Sequence, residues 1–261
     1  MRICTFASSS SGNCTLVSHG STHILIDAGI SLRRIRDSLR LMGLTPDELT
    51  CALITHEHID HISGISILVK YHKTPLFTSL GTGRGICAAV PEAEPYLNLF
   101  DAGVELALGG VAVRSFRTPH DSADSVGFTI DAGGKKLVYA TDLGCLTEEV
   151  LAASLGADVA IIEANHDRDM VKNGPYPPFL KKRILSGRGH LSNSDCGELA
   201  VKLAGSGAAF IQLSHLSREN NTPELARKTV EEALLGADVT PGADIQVDVA
   251  PPGAPGRIYE L

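Results

Sequence analysis

No apolar run in the 261 residues approaches the ~18 needed to cross a bilayer, and the opening "MRICTFASSSSGNCTLV" lacks the apolar core of a signal peptide. These absences predict a soluble, cytoplasmic protein with no membrane partner. None of the six cysteines (Cys4, Cys14, Cys51, Cys87, Cys145, Cys196) forms a C-x-x-C pair, which excludes a zinc knuckle and suggests no disulfide framework. They are expected as reduced thiols, mostly buried. There is no excess of positive charge either: the formal net charge is -7, which speaks against a surface basic throughout. Local patches remain. Arg168, Lys172, Lys181, Lys182, Arg183 and Arg188 cluster between Asn165 and His190, and "SLRRIRDSLRLMG" carries four arginines. Either could equally be a solvated helix face. Repeats, low-complexity tracts and long linkers are lacking too, the nearest being "PPGAPG". One domain over residues 1–261 is the expectation.

What is present is an ordinary globular balance, 43% hydrophobic and 20% charged, with 26 glycines that suggest many tight turns. Short β-type runs recur: "THILID", "CALIT", "PLFTS", "VAVRSFRT", "SVGFTID", "KKLVYATD", "DVAIIEAN", "AAFIQLSH" and "IQVDVA". Helical patterns lie between them, in Ile30, Leu32, Ile35, Leu39 and Met42, in "SGISILVKYHK", "FLKKRILS" and "NSDCGELAVKLAG", and in "TPELARKTVEEALLG". This proportion predicts an α/β protein of two packed sheets with helices outside, although the pattern also fits a three-layer sheet.

The densest chemistry is "LITHEHIDHISG", residues 53–64. His56 and His58 are two apart at the end of a strand-like run, so in extended backbone they project to the same side and can face one metal. Asp60 and His61 follow as the chain turns into a helix, which lets them address a second point. The H-E-x-x-H zincin pattern fails because Asp60 stands four after His56. Further ligands are expected at other strand ends, where a rigid sheet can hold them. Asp27, His120, Asp142 and His215 each end such a run, although each alone would serve equally as a capping or loop residue.

In that order, Asp27, the H-x-H-x-D-H run from His56 to His61, His120, Asp142 and His215 resemble the five motifs of the metallo-β-lactamase-fold hydrolases. The resemblance implies a four-layer αββα sandwich with the site at one edge of the two sheets. It implies two divalent ions, zinc or manganese, with His56, His58 and His120 at one, Asp60, His61 and His215 at the other, and Asp142 bridging. Asp60 would also be catalytic, and Asp27 would orient the ligands.

The family spans several hydrolytic chemistries and the fold does not choose among them. "GRGHLSN" carries His190 outside the ligand set, much as the phosphodiesterase and nuclease branches do. Such a histidine could protonate a leaving oxygen or hold a phosphate oxygen; the plainer reading is a helix-capping neighbourhood. "ASSSSGNC" resembles the opening turn of the same branches, where Ser9, Ser10 and Asn13 could meet a phosphate, although alone it is a polar hairpin turn. "SSSSGN", "TPHDSADSVGF", "YATDLG", "EANHD", "GHLSN" and "LSHLSRENN" together resemble the bacterial YycJ (WalJ) subfamily, a nuclease-type branch. The resemblance implies a DNA exonuclease, 5′ to 3′, with a nucleic-acid end as partner. A small-molecule or cyclic-nucleotide phosphodiesterase is the alternative, and a thioesterase or lactonase is more distant. No β-CASP-type insertion separates Asp142 from His215, and there is no long basic arm, so large structured RNA is not the expected substrate. His166 either lines the substrate groove or satisfies a buried carboxylate. His19, His23 and His72 are assigned to surface or structural roles.

Overall fold

Strand alternation divides the apolar residues between separate cores. Ile24 and Ile26 point to one side of their strand and Leu25 to the other, and all three are fully buried. A strand buried on both faces needs a layer on each. The computed structural model, which describes residues 1–261, supplies them.

In chain order the elements are β1 (Arg2–Ala7), β2 (Cys14–His19), β3 (Thr22–Ile26), α1 (Leu32–Leu41), β4 (Cys51–Leu53), α2 (Ile59–Ile62), α3 (Ile65–His72), β5 (Leu76–Ser79), α4 (Leu80–Ala89) and β6 (Leu97–Phe100). There follow β7 (Glu105–Leu108), β8 (Val111–Arg117), β9 (Val126–Ala132), β10 (Lys135–Ala140), α5 (Glu148–Ser154), β11 (Val159–Glu163), α6 (Arg168–Asn173) and α7 (Pro178–Ile184). The chain closes with α8 (Asn193–Gly205), β12 (Phe210–Ser214), α9 (Pro223–Leu235), β13 (Gln246–Val249) and β14 (Ile258–Glu260). None of the helices is long and apolar enough to cross a membrane.

Two seven-stranded mixed sheets result, ordered β14-β1-β2-β3-β4-β5-β6 and β13-β12-β11-β10-β9-β8-β7. Between them lie Ile3, Val17, Ile24, Ile26, Leu53, Phe128, Leu137, Tyr139, Val159 and Ile161, drawn from both sheets. On the outer face of the first sheet, Leu16, Leu25 and Ile54 pack with Ile35 and Leu39 of α1 and Leu68 and Val69 of α3. On the outer face of the second, Val138, Ala160, Ile162, Ile211 and Leu213 pack with Val150, Leu199, Leu203, Val230 and Leu234 of α5, α8 and α9. The order is helix, sheet, sheet, helix, the expected αββα sandwich.

Strand direction then decides where a site can form. β3 and β4 run parallel, as do β10, β11 and β12, so the C-terminal ends of each set lie together. Asp27, Asp142 and His215 are the residues just past such ends, and all three have positive φ, at 60°, 59° and 58°. An L-residue there is uncommon and the backbone is strained by about 1–2 kcal/mol each. The left-handed turn swings each side chain off the strand line toward the common edge.

Candidate metal centre

Three imidazoles converge first. His56 Nε2 lies 3.0 Å from His58 Nδ1, and His120 Nε2 lies 3.3 Å from the same atom. Their outer nitrogens are occupied elsewhere: His120 Nδ1–H donates to the Gly189 carbonyl (3.0 Å), and His56 Nδ1 meets Thr55 Oγ1 (3.0 Å). The Gly189 carbonyl fixes the His120 tautomer so that its Nε2 lone pair faces the other rings. Three ring nitrogens this close suit a cation that takes their lone pairs. Burial, reinforced by the neighbouring imidazoles, holds His56 well below the usual histidine range, and burial lowers His120 as well.

A second group differs in charge. Asp60 Oδ2 lies 3.6 Å from His61 Nε2 and 3.5 Å from His215 Nε2. His61 Nδ1–H donates to Asp27 (2.8 Å), and His215 Nδ1–H donates to Glu163 (2.7 Å). Burial alone would lower both imidazoles, but the carboxylates prevail: Asp27 and Asp142 lift His61 to about 9, and Asp142 with Asp60 and Glu163 lifts His215 well above the ordinary value. Asp142 lies between the groups, with Oδ2 3.4 Å from His61 Nε2 and Oδ1 3.7 Å from His120 Nε2. Two enclosed polar atoms here, Asp142 Oδ2 and His215 Nε2, have no hydrogen-bond partner. A buried carboxylate oxygen and a buried ring nitrogen without partners, among converging nitrogens, fit divalent cations, and His56, His58 and His120, and Asp60, His61 and His215, each offer atoms within 4.8 Å of one another.

Asp27 is fully buried, and its other oxygen accepts from the backbone N–H and hydroxyl of Thr55 (2.9 and 3.0 Å). His190 stands beside both groups, its ring 5.1 Å from that of His120 and 5.3 Å from that of His215. Its Nδ1–H donates to Glu163 Oε1 (2.9 Å), and its side chain is 18% exposed. Ser192 caps α8 from the same segment by accepting from Asp195 N–H (3.2 Å), so the capping neighbourhood and the placed histidine coexist.

Glu163 escaped the reading of the sequence. Fully buried at the end of β11, it accepts from His190 and His215 through Oε1 and from the backbone N–H groups of Leu143 (2.8 Å) and Leu191 (2.9 Å) through Oε2. Burial opposes its charge, yet His190 and His215 hold the carboxyl well below the usual range. The available signal was a lone carboxylate closing the apolar run "DVAIIE". Arg188 was visible only as part of a basic stretch; its guanidinium clasps the His120 carbonyl (3.0 and 3.1 Å).

The serine turn lies under the second group. Asn13 is fully buried, with Nδ2 3.1 Å from His61 Nε2 and bonded to the Ser9 carbonyl (3.1 Å). Ser8 Oγ accepts the His215 backbone N–H (2.7 Å). Ser9 is buried and Ser10 exposed at the tip. His166 lines a cleft that also touches His190. Of the remaining histidines, His72 pairs with Asp47 (2.7 Å) and His23 with Ser18 (3.1 Å), both away from this edge.

The Beta-lactamase superfamily domain matches residues 22–213. Over 254 residues, 94% of this chain and 93% of the other, the sequence is 34% identical to the exodeoxyribonuclease WalJ of Streptococcus pneumoniae serotype 2 (strain D39 / NCTC 7466). It is 29% identical to the exodeoxyribonuclease YycJ of Bacillus anthracis, covering 97% of this chain and 96% of that one. The crystal structure of Zn(2+)-bound PqqB from Methylobacterium extorquens shares the fold with a TM-score of 0.70 over all of both chains, at 19% identity. With its matched motifs gathered at one edge of an αββα sandwich, this chain belongs to the metallo-β-lactamase superfamily and, within it, to the YycJ (WalJ)-like hydrolases.

Proposed function

We propose that the protein is a metal-dependent hydrolase that cleaves phosphodiester bonds, acting in the cytoplasm as an exonuclease on DNA ends, with residues 1–261 as one catalytic domain. The observation that carries this reading is His190, a histidine outside both converging groups that touches their rim and is oriented by a buried glutamate. The names of the full-length relatives support it.

In this reading His56, His58 and His120 would hold one ion and Asp60, His61 and His215 the other, with Asp142 available to both. Zinc or manganese suits this mixed imidazole and carboxylate set. Such ions stabilise a phosphoryl oxygen and acidify a water. Asp27 fixes the His61 ring through Nδ1. Asp60, held ionised, accepts a proton from the attacking water; burial opposes its charge, and His215 and His61 overcome that. Glu163 takes the Nδ1–H of His190 and so turns the Nε2 edge outward. In its imidazolium form His190 delivers the Nε2 proton to the leaving sugar oxygen.

A second reading, a small-molecule or cyclic-nucleotide phosphodiesterase, is favoured by the net charge of -7. One experiment separates them: 5′-labelled single- and double-stranded DNA, a cyclic dinucleotide and a thioester are offered with manganese or zinc. DNA should be shortened from its 5′ end. Preferred hydrolysis of the cyclic dinucleotide would favour the second reading, and of the thioester would sink both. Asp142→Asn should lose at least one ion and the activity together; two ions per chain with full turnover would refute the shared role.

A further inference from the structure

We propose that the cleft lined by His190, His166, Arg168 and Lys172 binds a second phosphate of the nucleic-acid strand, next to the one being cleaved. The inference rests on the phosphodiesterase reading above. The cleft measures about 290 Å³, and His190 forms part of its wall, so the cleft opens beside the place where the leaving oxygen would be protonated.

Its chemistry selects an anion. His166 is only 1% exposed and is one of the residues lining the cleft, and neither ring nitrogen has a hydrogen-bond partner in the protein; Nδ1 is fully enclosed. A buried polar ring without a partner is costly to the fold and points to a ligand. Burial lowers its pKa to about 4, so the ring stays neutral beside the cations and can offer an N–H. Arg168 is fixed rather than free, donating to Ser192 Oγ (3.1 Å) and to both oxygens of Asp195 (2.9 and 2.7 Å). Asp195, the carboxylate on the wall, is thereby neutralised, and Ser192 Oγ–H donates to it as well (2.7 Å). Lys172 adds an ammonium whose only carboxylate is the exposed Asp169 at 3.5 Å. The Lys172 ammonium and a neutral imidazole, beside an Arg168–Asp195 pair whose charges cancel, repel a metal ion and attract a group with several acceptor oxygens. In a nucleic acid, that group is the backbone phosphate.

The phosphate could be a terminal monoester or an internal diester. The test uses fluorescent hexanucleotides in which one phosphate at a time is a neutral methylphosphonate, with a further oligonucleotide lacking the 5′-phosphate. Stopped-flow anisotropy on the metal-loaded protein reads Kd before cleavage. For the wild type, neutralising one position should raise Kd about tenfold, the worth of a charge-assisted hydrogen bond. In Lys172→Ala and in His166→Gln the same change should cost less than about twofold, because its partner is gone. Lys172 has a side chain 59% exposed, so its removal does not threaten the fold. Coupling at the 5′-phosphate would identify end recognition and coupling at an internal position would identify strand tracking; both support the subsite. Equal penalties in wild type and variants at every position would overturn it. Cleavage of the same oligonucleotides is scored in parallel. Coupling without cleavage rejects the nuclease reading and keeps the subsite, and cleavage without coupling does the reverse.

Discussion

His190 and Glu163 show how one buried side chain can set the chemistry of another. Glu163 accepts four hydrogen bonds, two from backbone groups that pin it and two from His190 and His215. One carboxylate thus orients a histidine in each part of the site, and His190 keeps its outer edge free. As a proton donor that is not a ligand, His190 should matter in proportion to how poorly the leaving group departs. His190→Ala is expected to retain its metals while losing about 10²–10⁴ of its turnover on DNA. A nitrophenolate leaves without help, so the loss on a nitrophenyl phosphodiester should be mild. Equal losses on both substrates would make His190 a phosphate anchor, and none on either would make it structural. His190 was legible through the resemblance of "GRGHLSN" to the late histidine motif of the phosphodiesterase and nuclease branches. Glu163 was not legible because a strand buried on both faces reads as an apolar run, in which one carboxylate looks like a strand end. The sequence also offered Asn13 as a phosphate contact, whereas the fold turns that amide inward to Asp60 and His61. A polar turn does not reveal which way its side chains face.

Elements meet at this edge through glycines. A Cβ on Gly29 would stand 1.6 Å from the Asp60 carbonyl oxygen, and one on Gly64 2.3 Å from that of Ile30, so the loop after β3 nests directly against α2. Gly29→Ala would have to push Asp60 and His61 out of register. It is expected to lower the thermal midpoint by several degrees and to reduce the metal held at the Asp60 side, read by calorimetry and metal analysis. Gly20→Ala is the control: it meets nothing within 4 Å and carries only the backbone cost of φ 57°, about 1 kcal/mol. Similar midpoints and full metal content in both would show that the loop yields. All nine strand-like runs named from the sequence are strands, and the five helical patterns fall in helices. β1, β2, β6, β7, β14 and four of the helices were not legible. In α4, "LGTGRGICAA", three glycines read as turn signals. Here they serve packing: a Cβ would meet Asp124 at Gly81, Leu99 at Gly83 and Glu57 at Gly85 at 2.3–2.6 Å. Only tertiary neighbours distinguish a glycine that turns from one that makes room.

For the molecule as a whole, the question is how a chain of net charge -7 holds a polyanion. Long-range repulsion must be offset by a few cations near the site. The basic stretch from Arg168 to Arg188 is less available than its composition suggests, because Arg168 pairs with Asp195 and Arg183 with Asp121. Lys181, Lys182 and Arg188 face no carboxylate, and Lys172 has only the weak Asp169 contact. On α1, Arg33 and Arg36 share Asp37, and the helix stands apart from the Arg168–Arg188 stretch that borders the cleft. If the Arg168–Arg188 stretch is the contact surface, about three or four phosphates are neutralised, and each releases condensed counterions. The logarithm of DNA affinity should fall with the logarithm of salt with a slope of roughly -2 to -4, far shallower than for a broadly basic binder. Fluorescence anisotropy between 50 and 200 mM salt would measure it, in the range where the salt term is large. Arg188→Ala and Lys182→Ala should each reduce the slope by about one, whereas Arg168→Ala should not, its charge being already met by Asp195. A flat response would return the protein to small-molecule substrates. A slope steeper than about -6 would mean that cations beyond the Arg168–Arg188 stretch also meet phosphates.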